Sequence, residues 1–156
     1  MQQVFSSWRG YLELTKPGVQ ALLFVSCISG MLIASDFRPS LEVFVFGLLG
    51  VSFLAASSAV INHIFDQKID AKMVRTASRP IVVGKISNKQ ATVFSVILYV
   101  LGSWMLLNFA NPLTWVLTTL TFIFYGFIYT RYLKFMTSQN IVIGGLAGAM
   151  PPLLGW

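Results

Sequence analysis

The sequence has little charge, one cysteine and one histidine. Only 10% of its 156 residues are Asp, Glu, Lys or Arg, whereas soluble domains average about 25%. Hydrophobic residues make up 56% of the chain, and the mean hydropathy is +0.74. The lone Cys27 excludes a disulfide framework. These values exclude an ordinary water-soluble domain and indicate a protein that lies in a membrane.

Acidic residues are scarcer than basic ones, and the formal net charge is +6. A basic chain can bind nucleic acid, but here the basic residues stand between hydrophobic runs. That placement is typical of the connections in a membrane protein. We therefore expect the lipid bilayer as a partner and no nucleic acid.

Five uncharged, mostly hydrophobic runs are long enough to cross the bilayer core of about 30 Å. They cover residues 17–35, 43–65, 90–111, 112–130 and 135–156. Because the backbone in lipid must satisfy its own hydrogen bonds, these runs predict helices. The predicted fold class is all-α: a polytopic transmembrane helix bundle in one membrane domain, residues 1–156, with about four full helices and the start of a fifth.

The Lys and Arg residues lie on alternate connections. The N-terminal arm, the loop 66–89 and the connection after the fourth run hold all of them except Arg38. The positive-inside rule therefore places the N-terminus and the 66–89 loop on the cytoplasmic side of a bacterial inner membrane, or on the matrix side of the mitochondrial one.

A polar stripe ends the second run. Asn62, Asp66 and Asp70 recur at every fourth residue, so on a helix they share one face. Two carboxylates at this spacing repel each other, and carboxylates at a membrane boundary are costly. Mg²⁺ would relieve both costs, since it binds carboxylates together with phosphate oxygens and water. The acidic pair alone also fits a solvated helix end, but the amide of Asn62 inside a hydrophobic run favours a site.

Three basic residues, Arg75, Arg79 and Lys85, follow the stripe. Arg offers paired donors to phosphate, and Lys offers a compact charge. Any one of them is equally explained as a topology signal. Acidic and basic residues together beside a membrane favour a diphosphate on a lipophilic tail.

Other features have simpler interpretations. His63, next to Asn62, is expected on a different helical face from the aspartates, which favours a structural role. Gly144 and Gly148 have the GxxxG spacing that permits close helix contact. The dipeptide Pro151-Pro152 is expected to kink or break the last helix.

The sequence resembles the UbiA-type intramembrane prenyltransferases and, among them, the haem-directed farnesyltransferases. The stripe and the following Arg-x3-Arg-Pro stretch resemble the first aspartate-rich motif of that superfamily. The narrower resemblance is carried by LTKP at 14–17, DAKM-x-RT at 70–76, NIVIGG at 140–145 and GAMPPLLGW at 148–156.

The resemblance implies transfer of a farnesyl group from farnesyl diphosphate to a vinyl group of haem B, which gives haem O, with Mg²⁺ as cofactor. It implies catalytic roles for Asn62, Asp66 and Asp70, and makes the two aspartates the metal ligands. It also implies that the diphosphate is bound by Arg75, Arg79 and Lys85.

The sequence departs from that family in two ways. Residues 81–84 read IVVG where relatives often have Leu-Pro-x-Gly, which bears on loop geometry. Family members have about twice this length, nine helices and a second aspartate motif in the later half. The 156-residue chain alone is therefore expected to be inactive, as a fragment or a truncated product.

Two other functions stay open. One is a UbiA-type prenyltransferase with an aromatic, quinone-precursor acceptor. The other is a non-catalytic membrane module whose basic loop only fixes topology. The sequence does not determine the oligomeric state or the choice between Mg²⁺ and Mn²⁺.

Overall fold

The computed structural model describes residues 2–136 and 139–156, and within these ranges it contains helices and turns but no β-strand. The helices in chain order are α1 (Gln2–Leu14), α2 (Pro17–Ala34), α3 (Leu48–Asp70), α4 (Asn88–Phe109), α5 (Pro112–Ile123), α6 (Lys134–Met136) and α7 (Asn140–Gly155). A π-helical segment, Val43–Gly47, leads into α3, and a second one, Phe124–Leu133, joins α5 to α6. The predicted all-α fold class is confirmed.

Four helical stretches of the described chain are long and hydrophobic enough to cross a membrane. They are Pro17–Ala34, Val43–Asp70, Asn88–Phe109 and Pro112–Leu133. The helix α7 is shorter, with 16 residues. The chain is thus a multi-pass membrane protein, as the hydrophobic runs predict, while its orientation stays a prediction.

Local sequence explains where the helices begin. Pro17 occupies the start of α2, where a missing N–H costs nothing. A capping box of Ser87 and Gln90 opens α4. The side chain of Asn111 accepts a hydrogen bond from the Thr114 backbone N–H at 2.8 Å and so caps α5. The connection between α4 and α5 is short, with only Ala110 and Asn111 between the two helices.

The helix α3 is central, since it packs against α2, α4, α5 and the segment Phe124–Leu133. Its contact with α4 is very close. A Cβ on Gly102 would lie 2.8 Å from the carbonyl oxygen of Gly50, and the hydroxyls of Ser57 and Ser95 are 2.8 Å apart. This tight packing holds α3, which carries the polar stripe, in a fixed position.

The helices α7 and α2 pack closely at one glycine of each, Gly155 of α7 and Gly30 of α2. A Cβ on Gly30 would lie 2.0 Å from the carbonyl oxygen of Pro152, and one on Gly155 would lie 2.2 Å from that of Cys27. The helix runs unbroken through both prolines to its end. The close helix–helix contact therefore forms at other glycines than the GxxxG pair.

The GxxxG pair of α7 faces other surroundings. A Cβ on Gly144 would meet the ring of Tyr129 at 2.5 Å, whereas one on Gly148 would meet no described atom within 4 Å. Gly144 thus permits close contact with an aromatic ring. Gly148 leaves open space beside the helix.

The polar connection is shorter than the 66–89 loop that the sequence indicates. The helix α3 continues to Asp70, and α4 starts at Asn88, so the connection covers residues 71–87. The Thr76 hydroxyl donates to the Asp70 carbonyl at 3.0 Å and satisfies the end of α3. Within the connection, Ile86 is buried and faces Gly10 of α1. The loop is therefore folded against the end of the bundle.

Candidate functional site

The polar stripe forms the floor of the site. Asn62, Asp66 and Asp70 lie on one face of α3, and they are 4%, 5% and 4% exposed. Buried carboxylates require partners. Cations from three other segments contact the stripe. Lys16, at the start of α2, contacts Asn62, whereas Arg79 from the loop and Lys134 from α6 contact the two aspartates.

Asn62 joins these partners. Its Oδ1 accepts a hydrogen bond from Lys16 Nζ at 2.5 Å. Its Nδ2 donates to Asp66 Oδ2 at 3.0 Å and to Thr130 Oγ1 at 3.1 Å. The Thr130 hydroxyl donates onward to the Tyr125 carbonyl at 2.7 Å. A single amide thus connects α3 to α2 and to the π-helical segment.

Each aspartate has its own cation. Lys134 Nζ donates to Asp66 Oδ2 at 2.9 Å. The Arg79 guanidinium pairs with the Asp70 carboxylate. Both cations are half-buried, with side-chain exposures of 31% for Lys134 and 21% for Arg79. Each can therefore reach a ligand that enters beside the stripe.

Lys16 stands at the junction of α1 and α2 in a left-handed backbone conformation, with φ of 55°. Its Nζ also lies 3.4 Å from the Tyr125 hydroxyl and 5.7 Å from the centre of that ring. Burial, and then the nearby Arg79 cation, lower the pKa of Lys16 to about 8. The ammonium therefore lacks enough negative charge around it, which favours an anionic ligand.

The structure brings part of the residue set predicted from the sequence into one cluster, and the functions of these residues stay predictions. Asn62, Asp66, Asp70 and Arg79 come together, as expected. Arg75 and Lys85 are instead exposed, and among the described residues neither forms an ion pair with an aspartate. Their role in diphosphate binding stays a prediction.

Three residues of the site are not among those predicted from the sequence: Lys16, Thr130 and Lys134. The pattern of basic residues indicates the two lysines only as topology signals. A usable signal existed, because both lie on connections at the same membrane face as the aspartates. Thr130 gave no signal of this kind, since its contact depends on the turn geometry of its helix.

The π-helical segment Phe124–Leu133 positions the third side of the site. It is 10 residues long, whereas π-helical turns are rare and usually occur singly, often at functional sites. Its wider turns bring Thr130 against Asn62 and lead into Lys134. The local backbone thus supplies two of the contacts to the stripe.

The donor set fits Mg²⁺ bound together with a substrate. Among residues 2–136 and 139–156, no group of three or more His, Cys, Asp or Glu side chains gathers into a metal cluster. Asp66 and Asp70 provide two carboxylates, and Asn62 provides an amide. Mg²⁺ typically uses one or two carboxylates and completes its shell with substrate phosphates and water.

A cavity of about 190 Å³ opens beside the site. Lys16 and Tyr125 line it at the end near the stripe, and hydrophobic side chains such as Leu54 and Leu154 line it further along. It lies among α2, α3, α5 and α7. The arrangement places one cation of the cluster, Lys16, on the wall of a mostly hydrophobic space.

Comparison with known proteins identifies relatives of this arrangement. Residues 23–156 match the UbiA prenyltransferase family. The chain is 51% identical over 149 residues to protoheme IX farnesyltransferase 2 of Pseudoalteromonas atlantica, which covers 96% of the chain and 49% of that relative. It is 51% identical over 150 residues to protoheme IX farnesyltransferase of Marinobacter nauticus, covering 96% and 50%. The chain thus spans about half the length of the curated relatives that it matches.

Solved structures agree. A digeranylgeranylglyceryl phosphate synthase superposes with a TM-score of 0.76 at 29% identity, over 96% of this chain and 57% of that one. A UbiA homologue from Archaeoglobus fulgidus, bound to GPP and Mg²⁺, superposes with a TM-score of 0.75 at 22% identity, over 94% and 52%, and shows the same fold. On the family match and these likenesses, the chain belongs to the UbiA prenyltransferase family.

Proposed function

We propose that this site binds an isoprenyl diphosphate with Mg²⁺, and that the protein transfers a farnesyl group from farnesyl diphosphate to a vinyl group of haem B, which gives haem O. One observation carries the proposal. Two buried carboxylates and three part-buried cations form a cluster, and one of those cations, Lys16, lines a mostly hydrophobic cavity. A ligand with an anionic head and a long hydrophobic tail matches both parts.

The head-group contacts follow from the charges. Lys16, Arg79 and Lys134 exceed the two aspartates by one positive charge. A trianionic diphosphate with one Mg²⁺ would bring the whole assembly to neutrality, whereas either ligand alone would leave an excess of charge in a buried place. Mg²⁺ and diphosphate should therefore bind together, because uncompensated charge is costly where water is excluded.

We assign Asp66 and Asp70 to the metal, and Asn62 to holding Lys16 and Asp66 in position. Lys16, Arg79 and Lys134 would then turn from the stripe toward the diphosphate oxygens. When bound, Mg²⁺ would neutralise charge that develops on the leaving diphosphate. Fixed cations around the same oxygens stabilise that charge as well.

The cavity supports the isoprenyl tail. Each buried methylene contributes roughly 0.8 kcal/mol of transfer free energy, so a hydrophobic cavity of this kind favours a long chain. In the reaction, the bond between farnesyl C1 and oxygen breaks, and its electron pair leaves with the diphosphate. The vinyl group bonds to C1, and water adds to the other vinyl carbon with loss of a proton.

Support for the particular donor and acceptor comes from relatives. Relatives that are 51% identical to this chain over the aligned residues are protoheme IX farnesyltransferases. A protein of the same fold is bound to GPP and Mg²⁺. Their names favour haem B over an aromatic acceptor. Arg75 and Lys85 are proposed to meet the diphosphate from the exposed loop.

The test has two readouts, because the chain spans about half of its relatives. The first is binding of farnesyl diphosphate to the chain by calorimetry, with and without Mg²⁺. The second is Mg²⁺-dependent formation of haem O in membranes that contain the protein at its encoded length. Both are repeated with Asp66→Asn and Asp70→Asn, which keep the side-chain shape and remove the charge.

Loss of Mg²⁺-dependent binding and of haem O in both variants is the expected result. Transfer to an aromatic acid or quinone precursor instead of haem B would replace the acceptor and keep the site. Binding that does not depend on either aspartate would sink the proposal and leave a non-catalytic membrane module. Activity of the 156-residue chain alone would contradict the expectation that it is inactive.

A further inference from the structure

His63 is a buried polar side chain for which the described residues provide no hydrogen-bond partner. It is 4% exposed, and among the described residues neither Nδ1 nor Nε2 forms a hydrogen bond. Nearly all buried polar groups in folded proteins are hydrogen-bonded, and the exceptions mark a role or an absent ligand. An imidazole always carries at least one N–H, so this ring has a donor available whichever tautomer it adopts.

The position of His63 on α3 relates it to the site. In an α-helix, residues seven apart differ in direction by only about 20°, so His63 points nearly along the Asp70 direction, two turns earlier. It is also the immediate neighbour of Asn62, which receives the hydrogen bond from Lys16. The expectation of a face separate from both aspartates is therefore inaccurate for Asp70.

Charged groups of the site hold the residues next to His63 on α3. Lys16 donates to Asn62, the residue before His63, and Arg79 pairs with Asp70, which shares the direction of His63 on the helix. Lys16 and Arg79 are two of the cations assigned above to the diphosphate. His63 thus belongs to the stretch of helix that these two cations contact.

On these three observations, and resting on the function proposed above, we infer that His63 is a further substrate-binding residue. Its ring N–H donates a hydrogen bond to a phosphoryl oxygen of the Mg²⁺-bound diphosphate, between Lys16 and Arg79. The bond satisfies a donor that the protein alone leaves unpaired. A histidine with only a packing role would not change its surroundings when the ligand binds.

The first test observes the ring directly. His63 is the only histidine in this chain, so ¹⁵N-labelled histidine reports one residue, and the His63→Gln variant identifies its signals by their loss. The protein carries an affinity tag without histidine. Inorganic diphosphate with Mg²⁺ is added to the labelled protein in detergent. We expect the ring nitrogen signals to shift in saturable fashion, with the same midpoint as binding measured by calorimetry.

The second test measures affinity. His63→Leu should weaken binding of Mg²⁺–diphosphate by about tenfold, the effect of one lost hydrogen bond to a charged acceptor. His63→Gln keeps a side-chain N–H and should restore affinity to within about threefold of the wild type, given that same bond. The thermal unfolding temperatures of both variants show whether the fold is intact.

The outcomes separate the two proposals. Binding by the wild type with unchanged ring signals, or with equal affinities for the Leu and Gln variants, overturns the role of His63 and leaves the proposed function standing. No binding of Mg²⁺–diphosphate by the wild type overturns both. Shifted signals with an affinity order of wild type, Gln and then Leu support the inference.

Discussion

Replacing Asn62 with leucine removes the side chain that joins the charged groups of the site. Asn62→Leu keeps a similar volume and suits the hydrophobic helix around it. It deletes one hydrogen bond from Lys16, one to Asp66 and one to Thr130. The helix should persist, while the three partners lose the group that holds them in register.

The magnitude follows from those three bonds. A hydrogen bond to a charged group contributes about 1.5–3 kcal/mol, and a neutral one about 1 kcal/mol. The full sum overstates the effect, because Lys16 still faces the Tyr125 hydroxyl and Asp66 still pairs with Lys134. We therefore expect the free energy of ligand binding to become less favourable by about 2–4 kcal/mol, because Lys16 and Asp66 no longer hold their positions. At 1.4 kcal/mol per tenfold, that is a rise in Kd of about 30- to 1,000-fold.

Calorimetry with farnesyl diphosphate and Mg²⁺ measures this change, and haem O formation gives a second reading. Asn108→Leu is the matched control. Asn108 lies on α4 with an exposed side chain, and among the described residues it donates only to the Trp104 carbonyl of its own helix. It should change the Kd by no more than about twofold, as surface changes usually do. An Asn62→Leu protein that binds within threefold of wild type would refute the reasoning.

Two further substitutions test the cation shell and the cavity. Lys134→Met should weaken Mg²⁺-dependent binding of farnesyl diphosphate by about tenfold or more in a calorimetric titration, since it removes a cation from the diphosphate site. Arg131→Met makes the same charge change at an exposed residue and should leave binding nearly unchanged. Equal effects of the two substitutions would count against the assignment of Lys134 to the diphosphate. Gly148→Leu should fill part of the cavity without a backbone clash. In competition binding, it should reduce the preference for farnesyl over geranyl diphosphate at least tenfold. Gly145 does not line the cavity, so Gly145→Leu should leave this preference unchanged. An unchanged preference in Gly148→Leu would move the isoprenyl tail out of this cavity.

The four membrane-spanning helical stretches follow from the hydrophobic runs of the sequence. Long uncharged runs in a chain with 10% charged residues have one stable form in lipid, in which each backbone bonds to itself. The helix starts at Pro17, Ser87 and Asn111 also depend on local chemistry, because proline and capping side chains act within one turn. Local chemistry thus determined the elements and most of their ends.

The stripe was readable for a similar reason. Asn62, Asp66 and Asp70 belong to one helix, so their spacing in the sequence is also their spacing in space. The basic loop was only partly readable. Arg79 reaches Asp70, while Arg75, four residues earlier, points to solvent, and only the folded path of the loop separates the two.

The tertiary structure alone decided which distant residues complete the site. Lys16 and Lys134 stand 46 and 68 residues from their partners in the stripe, so no local pattern relates them. Their contacts depend on the close packing of α2 and of the π-helical segment against α3. The same holds for His63, whose lack of a partner is visible only when every neighbouring group is in place. Periodicity within one helix is a property of the sequence, whereas the meeting of separate helices is a property of their packing.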